Sequence, residues 1–174
     1  MTIDDYFAGE ETNRRRELVF GVVHEPPSPF PFHQAAVTRL ASLLHQHVTR
    51  TRAGTVYVAP LDVVLDEQRG LVVQPDILFI AAGSTVIVND RIMGAPDLVV
   101  EVLSSSTRRR DRHAKRAWYG HYGVKEYWIV DPQHATIETV AGSAATGTVY
   151  RSHDRLHSVV LPQFSVAIDS ICAP

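Results

Sequence analysis

Residues 97–130 constrain the fold more than any other stretch of this chain. Asp97 to Leu103 reads Asp-Leu-Val-Val-Glu-Val-Leu, a near-continuous apolar run of strand length. Such a run belongs in the middle of a sheet that is covered on both faces. Ser104-Ser105-Ser106-Thr107 then offers several helix N-caps. The pattern predicts a helix from about Arg109 to Tyr122, closed by Gly123, and a second buried strand from Lys125 to Val130 that ends at Asp131-Pro132. A strand, a crossover helix and a strand form a parallel pair.

The flanking segments read differently. Residues 1 to about 13 are polar and are either loosely held or a short helix. Arg16 to His24 reads as a strand or hairpin turning at Gly21, and the proline-rich run from Glu25 cannot be regular structure. His33 to Arg50 is a helix with Val37, Leu40, Leu44 and Val48 on one stripe, ended at Gly54. Val56 to Leu65, interrupted by Pro60, and Leu71 to Ile80 read as a hairpin around Asp66 to Gly70. Residues 82–94 are either a loop or a short helix. From Ala135 onward, 136–140, 148–150 and 158–161 alternate like an antiparallel meander. The expected class is α/β (α+β): a mixed β-sheet with a helix on each face and an antiparallel C-terminal β extension.

The 174 residues predict a single domain over 1–174, with a core of about 15–140 and the extension over about 141–174. A chain of this length buries about 70% of its unfolded surface without staples. With 45% hydrophobic and 21% charged residues and a net charge of −2, no global basic field draws in nucleic acid, so any attraction comes from a local patch. Cys172 has no partner for an intrachain disulfide. That fits a reducing cytoplasm, and no run approaches the roughly 18 apolar residues of a membrane span.

Two acids stand out against this background. Asp76 lies in the apolar stretch 71–80 behind Pro75, and Glu101 shares one face of its strand with Asp97, Val99 and Leu103. A buried carboxylate needs a proton, a cation or a metal. Two hard oxygen ligands from adjacent strands, with a main-chain carbonyl and water, suit Mg2+ or Mn2+. On the following helix Asp111, Lys115 and Tyr119 are spaced by four and share a face, while Ala114, Trp118 and Tyr122 form the adjoining face expected to pack on the sheet. Lys115 is then placed at the boundary of sheet and solvent. Arg108, Arg109, Arg110, Arg112 and Arg116 make the one dense basic patch, and guanidinium groups bind phosphate well.

Gln74-Pro75-Asp76, then Asp97 to Ser104, then Arg110-Asp111-Arg112-x-x-Lys115-x-x-x-Tyr119, then Gly123-Val124-x-Glu126-Tyr127-Trp128-x-Val130-Asp131-Pro132 resemble a family of restriction-endonuclease-like proteins first catalogued as a domain of unknown function. The family belongs to the PD-(D/E)XK nuclease superfamily. Glu17-Leu18-x-x-Gly21 and Pro27-Ser28-Pro29-x-x-x-His33-Gln34 fit its N-terminal pattern, so the resemblance covers roughly residues 15–140. It implies a restriction-endonuclease-like core in which Asp76, Glu101 and the carbonyl of Val102 hold the metal and Glu17 is a further acid beside it. The chain departs from the superfamily at position 103, where Leu103 replaces the motif lysine. The resemblance implies that Lys115 supplies that ammonium from the helix.

The expected activity is therefore metal-dependent hydrolysis of phosphodiester bonds in DNA, with Asp76, Glu101, Lys115 and Glu17 catalytic and His33, Tyr119 and Arg112 accessory. The alternative is a non-cleaving nucleic-acid-binding or interaction module on the same fold. Each residue also has a structural reading. Asp76 caps a turn, Glu101 pairs with Lys115 or an arginine, and Glu17 is a solvated strand-opening acid. His33 is then a polar helix-start residue, Tyr119 a packed aromatic and the arginine run a solvated face. Asp62 and Asp97 are read as structural. Cutting both strands commonly needs two sites, and the strand-rich tail suits pairing across a two-fold axis, so a homodimer is expected.

Overall fold

A computed structural model describes residues 1–9, 14–104 and 110–172. In chain order its elements are α1 (Ile3–Phe7), β1 (Glu17–Val19), β2 (Val22–His24), α2 (Pro31–Thr51), β3 (Gly54–Val58), β4 (Val63–Asp66), β5 (Leu71–Val73), β6 (Ile77–Ala81), β7 (Ile87–Val88), β8 (Ile92–Met93) and β9 (Leu98–Val102). A wide π-helical turn at Arg110–Lys115 runs into α3 (Arg116–Tyr122). β10 (Glu126–Asp131), β11 (Thr136–Ala141), β12 (Thr148–Arg151), β13 (Arg155–His157), β14 (Ser165–Ala167) and α4 (Asp169–Cys172) complete the chain. The N-cap candidates Ser105 to Thr107 and the side chains of Arg108 to Asp111 lie outside the described residues.

The central sheet has the order β12-β11-β10-β9-β6-β3, and β9 and β10 run parallel within it, as the strand–helix–strand pattern predicts. The other pairings of this sheet are antiparallel. Alternation along β9 divides its side chains between two apolar layers. Leu98, Val100 and Val102 pack with Ala36, Leu40, Leu44 and Val48 of α2. Val99 and Leu103 pack with Tyr119 of α3 and with Leu71 and Val73 of a second sheet. A helix therefore covers each face, as expected. Gly123 closes α3 at φ 96°, in the left-handed region where glycine bears no Cβ penalty.

The hairpin regions depart from expectation. The segment read as one strand from Val56 to Leu65 is two strands, and so is the segment Leu71 to Ile80. β3 and β6 belong to the central sheet, whereas β4 and β5 belong to a second sheet of order β2-β1-β5-β4-β8-β7. The chain turns the corner between the layers at 59–62 and again at 74–76, each time beside a proline that has no amide hydrogen for a ladder. Asp76 thus sits at a corner rather than inside a strand.

The extension also differs. β11 and β12 widen the central sheet, but Ser158 to Leu161 is a loop. β13 and β14 form their own antiparallel pair instead. The loop has a different partner for its amides: one Glu126 oxygen accepts from Val159 N at 3.1 Å, Val160 N at 3.2 Å and Ser158 Oγ at 2.6 Å.

Candidate functional site

Register brings the two acids together. In the antiparallel pairing of β6 with β9, Leu78 stands opposite Val99 and Ile77 opposite Val100. Continued by one residue, the same ladder sets Asp76 opposite Glu101. Both are buried, at 3% and 1% exposure.

Each acid has one oxygen fixed by the scaffold. Asp76 Oδ2 accepts the main-chain amide of Val102 at 2.7 Å and lies 3.3 Å from His33 Nε2. Glu101 Oε1 accepts from Lys115 Nζ at 2.6 Å and from the Tyr119 hydroxyl at 2.8 Å. Burial, and then the Glu101 carboxylate, push the Tyr119 hydroxyl well above the ordinary tyrosine range, so it remains a donor.

Lys115 is a correction to the sequence reading. It is only 3% exposed and faces the sheet rather than the solvent boundary. The helix buries the Lys115–Tyr119 face, while Trp118 and Tyr122 are only partly buried beside it. Its ammonium also lies 2.9 Å from Glu17 Oε1. Glu17 is not a solvated strand-opening acid. It is 1% exposed, and Oε1 accepts the amide of Gln74 at 3.0 Å.

Sequence reasoning missed Arg15. Its Nη1 donates to Asp76 Oδ1 at 2.5 Å and its Nη2 to Glu101 Oε2 at 3.2 Å, and the same Nη2 also donates to the carbonyl of Gln74. Burial alone would raise the Asp76 pKa. That is the largest single influence, but Arg15, then His33 and the Val102 amide, together outweigh it and hold the carboxyl down to about 2. The available signal was spacing: Arg15 lies two residues before Glu17, the interval at which extended backbone returns to the same side.

These groups line a cavity of about 550 Å3, with Arg14, Pro26 to Pro29, Gln34, Val102 and Ser104 also on its walls. Asp76, Glu101, Val102, Lys115, Glu17 and His33 are thus brought to one place, and Tyr119 reaches it through Glu101. Among the described residues, the buried His33 Nδ1 and Arg15 Nε find no hydrogen-bond partner. Arg112 is not brought there. It pairs with Asp131 at 3.5 Å and Glu138 at 3.4 Å, lining a different cavity beside Arg116, which itself pairs with Glu138 at 2.8 Å. Asp62 and Asp97 have structural partners, as read: Asp62 accepts from Gln74 Nε2 at 3.0 Å, and Asp97 accepts from the Ala81 amide at 2.7 Å.

A profile of the Uma2 family, described as "putative restriction endonuclease", matches residues 3–169. The chain belongs to the Uma2 family. That bears out the family read from the motifs and supports a nuclease-like function. A search of curated proteins finds no match. Among solved structures, the chain is similar to one described as a putative nuclease belonging to DUF820 from Anabaena variabilis ATCC 29413, with a TM-score of 0.79 at 20% identity over 99% of this chain and 97% of that one. At that identity the likeness is one of fold, and it agrees with the mixed α+β architecture of this Uma2 protein.

Proposed function

We propose that this Uma2 protein is a metal-dependent endonuclease that hydrolyses phosphodiester bonds in DNA. The observation that carries the reading is the convergence of Asp76 Oδ1 and Glu101 Oε2 on one positive group inside a cavity. A position that already holds a cation between two buried carboxylates fits a divalent ion. Among the described residues no group of three or more histidine, cysteine or carboxylate side chains is arranged to hold a metal. A hard ion that takes its remaining ligands from main chain and water suits such a pair, which favours Mg2+ or Mn2+. Asp76 and Glu101 would hold it, with the Val102 carbonyl as a further ligand. When bound, such an ion polarises a phosphate oxygen and makes water a better nucleophile.

The protein's own groups do the rest. Lys115, fixed between Glu17 and Glu101, presents positive charge to the cavity and stabilises the negative charge that builds on phosphorus during attack. Glu17 keeps that ammonium in place, Tyr119 orients Glu101, and His33 orients Asp76. Leu103 is buried at the position of the superfamily lysine, which favours the second reading of a non-cleaving nucleic-acid-binding module. Among the described residues no helix is long and apolar enough to cross a membrane. We read the protein as one unit over 1–174, acting on DNA in the cytoplasm as a homodimer.

The test is nicking of supercoiled plasmid with Mg2+ or Mn2+, comparing wild type with Asp76→Ala. Wild type is expected to cut and the variant to lose at least a hundredfold in rate. Equal rates, or no cutting by wild type on duplex and single-stranded DNA, would remove the enzymatic reading.

A further inference from the structure

Three acids meet at the site, Asp76, Glu101 and Glu17, against two side-chain cations, Lys115 and Arg15. The two cations are held very differently. Lys115 is 3% exposed, comes from a helix packed on the sheet, and touches Glu101 through Oε1, the oxygen also fixed by Tyr119. The Arg15 side chain is 25% exposed, comes from a segment outside any helix or strand, and takes the opposite oxygens, Asp76 Oδ1 and Glu101 Oε2. Those are the oxygens that an ion shared by the two acids needs.

We propose that Arg15 is an exchangeable counter-cation. It fills the position between Asp76 and Glu101 in the metal-free protein, yields it to a divalent ion, and carries its guanidinium to a phosphate of the substrate in the same cavity. Charge supports the exchange. With Arg15 in place, three carboxylates face two cations and the site is one charge short of neutral. A divalent ion in its place, with Lys115 retained, balances the three acids. The displaced guanidinium is then the group left to match a phosphodiester monoanion, which its planar fork binds bidentately. Arg14, next in sequence, is exposed on the wall of the same cavity, so the segment that carries Arg15 borders the space a substrate would enter. Metal and substrate thereby bind cooperatively, because each removes a cost the other would bear. The inference rests on the metal site proposed above.

Calorimetric titration of Mn2+ into metal-free wild type, Arg15→Met and Arg15→Lys separates the two ideas. Arg15→Met is expected to bind Mn2+ at least tenfold more tightly than wild type, with Arg15→Lys in between, because a lysine keeps the charge but lacks the planar fork that reaches Asp76, Glu101 and the Gln74 carbonyl together. Anisotropy with a labelled duplex in Ca2+ is expected to show Arg15→Met binding the duplex at least fivefold more weakly. Equal or weaker Mn2+ affinity in a folded Arg15→Met protein overturns the exchange while leaving the metal site intact. Unchanged duplex affinity overturns the transfer to phosphate. No Mn2+ binding by wild type or by either variant overturns the metal site itself.

Discussion

Lys115→Met probes the centre of the site without leaving a cavity. The side chain is 3% exposed, and its ammonium lies 2.6 Å from Glu101 and 2.9 Å from Glu17, both 1% exposed. Methionine nearly matches its length and fills its volume, so the change removes charge rather than packing. Two buried carboxylates then lose their shared cation. Breaking a buried pair by deleting one partner costs about 3–5 kcal/mol. Arg15 still faces Glu101, so Glu17 bears most of the loss. At a urea dependence of about 2 kcal/mol per M, a loss of about 4 kcal/mol lowers the unfolding midpoint by about 2 M. Glu17→Gln keeps an acceptor for the Gln74 amide and removes the second charge. The double variant is expected to recover part of the loss, with a coupling of about 1–3 kcal/mol in the cycle. Urea unfolding of all four proteins in chelator measures it. A loss below about 1 kcal/mol in Lys115→Met, or strictly additive effects, would refute the account of an ammonium clamped between two acids.

Two further outcomes follow from other groups. The Asp76 carboxyl is held at about 2 in the folded protein, below its ordinary value of 3.8. Its contribution, about 2 kcal/mol, is therefore present in full above about pH 5 and is lost as pH falls toward 2. The stability gap between wild type and Asp76→Asn is expected to shrink over that window, and a gap that is flat or widening on acidification would contradict the sign. Glu126→Ala leaves the amides of Val159 and Val160 and the Ser158 hydroxyl without their acceptor. Thermal unfolding is expected to show a loss of about 2–4 kcal/mol, and limited proteolysis faster cutting near residues 158–160. Unchanged proteolysis would show that the loop is held by other contacts.

The parallel pair and both covering helices were legible because local periodicity and global packing agree over 97–130 and over α2. Asp76 and Glu101 were legible because an acid in an apolar run is costly. The sheet exchange was not. Val56 to Leu65 and Leu71 to Ile80 stay apolar through the corner, since strands of both layers need apolar faces, and only Pro60 and Pro75 mark the break. Ser158 to Leu161 alternates like a strand, yet Glu126, far away in sequence, takes its amides. The burial of Lys115 and the reach of Arg15 depend on where two layers meet, which no local window contains. Of the arginine run, Arg112 and Arg116 are paired with Glu138, a partner no local window shows, and the side chains of Arg108 to Arg110 lie outside the described residues.

Glu17 belongs to β1 of the second sheet, and Glu101 to β9 of the central one. Lys115 is therefore a rivet through both plates as well as part of the cavity wall. Loosening the rivet also loosens the plates, so variants that remove this ammonium lose rigidity across both sheets.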